Sequence, residues 1–192
     1  ANSDRPYDSA WKARKDVPVE LEKVIFDDNN EVGFVYGPYE NEGYYNIARI
    51  MDLSERSDSL MASHILVSYA NALRSTETRT KEEAQALADS IYNVVKKDSS
   101  KIETLAKSLS DDPSAQTNNG DLGWFTDGMM VYTFNEFVQD NKVGTVGMVE
   151  TPFGYHIIKV TNRNEATPKA RLAVLAHEIT PSTATYQNVF AE

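Results

Sequence analysis

The chain has 192 residues, 41% of them hydrophobic, and a formal net charge of −10. That acidity, with no Lys/Arg cluster, excludes nucleic acid as a partner, because phosphate binding needs a basic patch. The absence of cysteine excludes disulfides, thiolate metal sites and a cysteine nucleophile, and no apolar run approaches the length of a membrane span.

The length suits one domain with additions, or two small ones. The start, Ala1-Asn2-Ser3-Asp4-Arg5-Pro6, is polar and carries no secretory signal. It reads as a processed or excised piece, which leaves the compartment open. Residues 1–16 are polar without periodicity and read as loop. Pro18 suits the first turn of a helix from about Val17 to Phe26, where its missing N–H costs nothing. Strands are predicted around Phe34–Tyr36 and Tyr44–Met51.

An internal repeat is legible here. At a displacement of 111 residues, Phe26, Asn30, Val32, Gly33 and Val35 fall on Phe137, Asn141, Val143, Gly144 and Val146, and Gly43, Tyr44 and Ile47 fall on Gly154, Tyr155 and Ile158. In this register Tyr45 stands in place of His156, Val19 of Met130 and Lys23 of Phe134.

Asp52 to Ser59 reads as a charged linker, followed by a strand over Leu60–Val67. Thr80 with Glu83 forms a capping box, and Ala84, Leu87, Ala88, Ile91 and Val95 follow at helical spacing. Ser100 with Glu103 repeats the signal ahead of Ile102, Leu105, Ala106 and Leu109. The segment Ser110 to Phe125 starts polar, turns on Asn119-Gly120 and enters an apolar strand at Leu122–Phe125. Thr126 or Asp127 caps a third helix with the stripe Met130, Phe134, Phe137 and Val138. Strands follow at about Thr145–Val149 and Tyr155–Thr161. Asn162 to Lys169 is a second polar linker, Arg171–Ile179 another strand, and Thr180-Pro181-Ser182 starts a helix carrying Tyr186, Val189 and Phe190. Strands then helices over residues 58–163, in the order β-α-α-β-α-β-β, make the fold class α+β.

Two of the three histidines open apolar, β-branched runs, Ser63-His64-Ile65-Leu66-Val67 and Tyr155-His156-Ile157-Ile158. They flank Gly120-Asp121-Leu122-Gly123-Trp124-Phe125. This combination resembles the parvulin family of peptidyl-prolyl cis-trans isomerases, over about 105 of the 192 residues. The resemblance implies a four-stranded antiparallel sheet with flanking helices at 58–163. It makes residues 1–57 a partial, degenerate remnant of a second such unit, and 164–192 a strand and helix start leading to a further domain. Position by position, His64, Asp112, Thr151 and His156 match the family's polar catalytic residues. Leu122, Met130 and Phe134 match its apolar proline pocket, with Phe125 and Phe153 beside them. No cofactor and no metal is implied.

From the residues alone, other readings stand beside these. The histidines also suit a hydrogen-bonded core pair, Met130 and Phe134 suit helix packing, and Asp112 before Pro113 suits a turn. A His64/His156 zinc site lacks a third ligand. Arg74, Arg79 and Lys81 are dispersed among acidic residues, so no preference for phosphorylated substrates is expected. The resemblance extends to SurA- and PpiD-like bacterial envelope foldases. It implies isomerisation of X-Pro bonds in unfolded or extended proline-containing clients, outer-membrane or secreted proteins, in the periplasm. Contact with a membrane would come only through an anchor absent from this chain. The alternative is an inactive module that binds peptide segments.

Overall fold

In the computed structural model, residues 3–27 and 29–180 are described. The elements in chain order are β1 (Lys12–Ala13), α1 (Val19–Ile25), β2 (Val35–Asn41), β3 (Tyr44–Ser57), β4 (Ser59–Val67), α2 (Lys81–Lys97), α3 (Ile102–Leu109), α4 (Ala115–Asn118), β5 (Asp121–Thr126), α5 (Tyr132–Asp140), β6 (Val146–Thr151), β7 (Gly154–Arg163) and β8 (Ala166–Glu178). They divide into two compact units. A continuous unit runs from Arg56 to Ala166, and a split unit joins the residues up to Glu55 with those from Thr167 onward.

The continuous unit is a sheet in the order β5-β4-β7-β6, antiparallel throughout, with helices on both faces. Thr80 Oγ1 accepts the Glu83 N–H while Glu83 Oε2 accepts the Thr80 N–H, so the predicted capping box forms. It starts α2, which buries Ala84, Ala88, Ile91 and Val95. With Ile102 and Ala106 of α3, these pack against Ile65, Val67 and Ile157 of the sheet. On the other face Phe134 and Val138 of α5 cover Leu60, Ala62, Phe125, Ile158 and Val160. Three layers follow from strands that are apolar on both sides.

Several boundaries differ from the sequence reading. The linker expected at Asp52–Ser59 is strand: β3 runs to Ser57 and β4 starts at Ser59. Its charges misled because Arg56 is buried, 3% exposed, against Asp127 and Glu136. The linker at Asn162–Lys169 is likewise mostly strand. There Asn164 replaces apolar alternation, accepting from Ser59 N through its side chain and from Ser57 Oγ through its carbonyl. Asp98, not Ser100, caps the entry to α3, with Ser99–Lys101 forming a 3-10 turn. Helix α5 starts at Tyr132, because Asp127 is spent on Arg56 and Asn135, and Met129 closes a turn onto Thr126. Met130 therefore precedes the helix rather than lying on it.

The split unit has the sheet order β1-β8-β3-β2. Leu21 and Ile25 of α1 pack on Ala48 and Ile50 of β3 and on Ala170 and Leu172 of β8. Pro18 sits at the N-cap of α1 rather than inside it, its carbonyl accepting from Leu21 and Glu22. The strand expected at Arg171–Ile179 is β8. The helix expected over Tyr186, Val189 and Phe190 lies outside the described residues.

The helix–hairpin repeat is present in the backbone. Gly33 and Gly144 share positive φ, +98° and +92°, and both donate to the second strand of the hairpin that follows, Gly33 N to Ile50 O and Gly144 N to Val160 O. Pro18 and Val131, the two N-caps, have the same dihedrals within a degree. The register differs from a constant displacement, because β2 carries an irregularity between Tyr36 and Tyr39. Ala48 and Ile50 face α1 as Ile158 and Val160 face α5. The counterpart of His156 is thus the buried Asn46, and Tyr45 is exposed on the opposite face.

Candidate functional site

In the continuous unit β4 and β7 carry the two histidines toward α5. His64 lies opposite Ile158, and His156 opposite Leu66, so the side chains are diagonal neighbours on one face. Their rings stack at 5.3 Å and 14°. Phe134 meets both edge-on, at 5.8 Å and 5.5 Å.

Asp112 reaches them from the loop after α3. Strand β5 pairs with β4 only as far as Ser63, which leaves the edge of β4 free beyond it. The loop takes that edge as a substitute strand. Ser110 Oγ accepts from Leu66 N, Asp111 N donates to Leu66 O, and Asp111 Oδ2 accepts from Ser68 N. Arg79 grips the Asp111 carboxylate with two nitrogens and also holds Glu77. Gly120 closes the same region. Its carbonyl accepts from His64 N, and a Cβ there would run into the His64 carbonyl and the Ala106 methyl.

The hydrogen bonds orient one another. Asp112 Oδ2 lies 2.9 Å from His64 Nε2. A hydrogen bond from His64 holds this carboxyl well below the usual carboxylate range, against a smaller opposing effect of burial. Ionised Asp112 only accepts, so His64 Nε2–H donates. His64 Nδ1 then accepts from His156 Nδ1–H at 3.0 Å. His156 Nε2 in turn accepts from Thr151 Oγ1–H at 2.9 Å, and Thr151 Oγ1 accepts from Phe153 N at 3.1 Å. A single polarised chain results, with all four ring nitrogens engaged. Burial, and secondarily the nearness of His64, push His156 down to about 3, with Asp112 opposing.

His156 and Asp112 both bind fewer protons folded than unfolded, so stability rises with pH across their range. The stability held above about pH 6.5 is lost as the pH falls toward 3. The loss is about 1.4 kcal/mol per pH unit at most for one histidine. A urea midpoint for the continuous unit lower at pH 5 than at pH 7 is the expected result; equal midpoints would contradict it.

A cavity of about 520 Å³ opens over this chain. His64, Asp112, His156, Leu122, Met130, Phe134 and Phe153 all line it. Thr151 stands behind His156, buried at 5% exposure, and Phe125 is a core residue, 3% exposed, packed against Phe134. Of the basic residues, Arg79 is spent on Asp111 and Lys81 on Glu150 at 2.6 Å, whereas Arg74 lines the cavity. The clamp by Arg79 on Asp111 was not legible in the sequence. Asp111 lies 32 positions from Arg79, and nothing local marks the pairing.

A four-stranded antiparallel sheet whose central strands carry two stacked histidines beside an apolar cavity defines a parvulin-type fold. Residues 45–164 match the family model of the PPIC-type PPIASE domain, and the chain belongs to that family. It is 40% identical over 110 residues to a foldase protein PrsA of Geobacillus sp., covering 57% of this chain and 34% of the relative. To a chaperone SurA of Pseudomonas fluorescens it is 26% identical over 171 residues, covering 85% of this chain and 38% of the relative. The chain thus spans little more than a third of the length of these relatives. Among solved structures, the peptidyl-prolyl isomerase ESS1 from Candida albicans superposes with a TM-score of 0.51 at 26% identity, over 55% of this chain and 63% of that one.

Proposed function

We propose that the continuous unit isomerises X-Pro bonds in unfolded or extended client polypeptides, and that residues 58–163 form the complete isomerase domain. What carries this reading is one juxtaposition: an apolar recess of Leu122, Met130 and Phe134 against the hydrogen-bonded chain from Asp112 to Thr151.

The X-Pro amide rotates over a barrier of roughly 18–20 kcal/mol set by C–N resonance, and uncatalysed exchange takes tens to hundreds of seconds. No nucleophile is required. In the twisted state resonance is lost and the carbonyl oxygen gives up negative charge. A fixed carboxylate beside that oxygen disfavours the planar amide more than the twisted one, and only such a difference accelerates the step. Leu122, Met130 and Phe134 hold the proline ring, Asp112 supplies the charge, and the two histidines with Thr151 fix its position. Phe153 closes the cavity wall, its carbonyl held by Ser68 Oγ at 2.7 Å. Since Arg79 and Lys81 are neutralised locally, a phosphate before the proline is not required. The clients fitting this reading are outer-membrane or secreted proteins in the periplasm of a bacterial envelope.

One observation favours a second reading, an inactive peptide-binding module. The histidines are buried, bonded to each other and, through their remaining nitrogens, to Asp112 and Thr151, as in a structural pair. NMR exchange on an Ala-Pro peptide separates the two. Asp112→Ala should slow catalysed exchange about a hundredfold and Met130→Ala about tenfold, with both variants folded. Unchanged exchange in both variants would place the chemistry elsewhere.

A further inference from the structure

The split unit repeats the continuous one beyond its helix and hairpin. Asp8-Ser9-Ala10-Trp11 precedes α1 as Asp121-Leu122-Gly123-Trp124 precedes α5. The turn is the same in both: Asp8 Oδ1 accepts from Ala10 N, and Asp121 Oδ1 from Gly123 N, each at 2.9 Å. Strand β1 pairs Lys12 with Ala170 as β5 pairs Phe125 with Leu60. Strand β8, which follows the continuous unit in sequence, takes the place in this sheet that β4 takes in the other.

The repeat carries a cavity of its own, about 490 Å³, at the corresponding place between the sheet and the N-terminus of the helix. Its wall replaces both histidines of the first. Asn46 stands where His156 would be. Val174, two residues beyond Leu172 on the same face, stands where His64 would be. Val17 and Leu21 replace Met130 and Phe134. The elements corresponding to α2, α3 and the Asp112 loop have no counterpart among the described residues of this unit. With Asn46 and Val174 at the histidine positions the cavity lacks the histidine chain, and Leu21 in place of Phe134 leaves no ring on its helix side.

What it keeps suits binding. Asn46 is 4% exposed, and its amide nitrogen donates to Tyr44 O at 2.9 Å, which leaves Oδ1 without a partner among the described residues. Tyr39, its cross-strand partner in the same lining, likewise has no hydroxyl partner among the described residues. One accepts and one donates, as a peptide unit requires. Around them the charges cancel: Arg5 pairs with Glu42 at 2.9 Å, Lys12 with Asp8, and Lys15 is balanced by Asp16.

We propose that this second cavity is a non-catalytic binding site for an extended, uncharged peptide segment bearing an aliphatic side chain, without selection for proline. The side chain enters between Val17, Leu21 and Val174, while Asn46 and Tyr39 hold the adjacent backbone. The proposal is independent of turnover in the continuous unit.

The test titrates the ¹⁵N-labelled 192-residue chain with capped Ala-Ala-Leu-Ala-Ala, which contains no proline. Saturable shifts at Leu21, Asn46 and Val174 are expected, unchanged in Met130→Ala and abolished in Val17→Trp, which fills the cavity. Val17→Trp should leave exchange on an Ala-Pro peptide as in the unsubstituted chain. Tyr39→Phe removes one hydroxyl and little else, and should weaken binding about fivefold. It decides the matter if the tryptophan variant does not fold. No shift at these residues, shifts confined to His64 and Phe134, or full affinity in Tyr39→Phe would overturn the proposal.

Discussion

Replacing Arg56 with alanine is expected to destabilise the continuous unit by about 3–5 kcal/mol. The guanidinium is 3% exposed and bonds both oxygens of Asp127, at 2.9 and 2.8 Å, and both of Glu136, at 3.0 and 2.6 Å. Burial by itself would push these carboxyls up. The bonds from Arg56, with those from Asn135, outweigh it and hold both below their ordinary range. Without Arg56 two desolvated carboxylates face each other, which is the costly half of a buried ion pair. The damage should also reach the cavity. Asn135 Oδ1 accepts from Gly128 N while its amide nitrogen donates to Asp127, so one cluster fixes the turn that presents Met130. Urea unfolding of the variant measures the loss. A change under about 1 kcal/mol would mean that the cluster is worth no more than a surface pair.

Phe134→Ala should cost a similar amount, about 3–5 kcal/mol, and abolish exchange catalysis along with it. Phe134 is 3% exposed and packs edge-on against His64, His156 and Phe125. Its ring is both core and cavity floor. Phe134→Leu separates the two roles. Near conservation of volume keeps the stability loss under about 1.5 kcal/mol, but the flat face beneath the proline is gone, so exchange should fall by at least the effect of Met130→Ala. A Phe134→Leu variant with undiminished exchange would remove the ring from the proposed mechanism.

These residues also show where the sequence was transparent. The strands around His64 and His156 were legible because their apolar runs are uninterrupted. Helix α2 was legible because Thr80 and Glu83 cap it locally. The motif from Gly120 to Phe125 and the two histidines identified the fold, and seven of the nine residues singled out meet at one cavity. Thr151 stands at one remove, bonded to His156. Phe125 was indistinguishable from Leu122 by composition. Both belong to the apolar cluster beneath α5, but only Leu122 also lines the cavity.

What stayed hidden depends on distant partners. Arg56 looked like linker because its carboxylates lie over 70 positions away. Asn164 looked like linker because its hydrogen bonds return to Ser57 and Ser59. The repeat was visible, but its register was off by the irregularity in β2, which made Tyr45 the counterpart of His156 instead of Asn46. The pairing of β8 beside β3 bridges more than a hundred residues, and no local pattern encodes it.

The most direct measurement is NMR exchange spectroscopy of a capped Ala-Pro peptide with substoichiometric protein. The account predicts a cis–trans exchange rate that rises linearly with protein concentration while the cis:trans ratio stays fixed. Peptide shifts or broadening that report binding, with an exchange rate equal to that of free peptide, would contradict it and leave the cavity a site that holds proline without turning it.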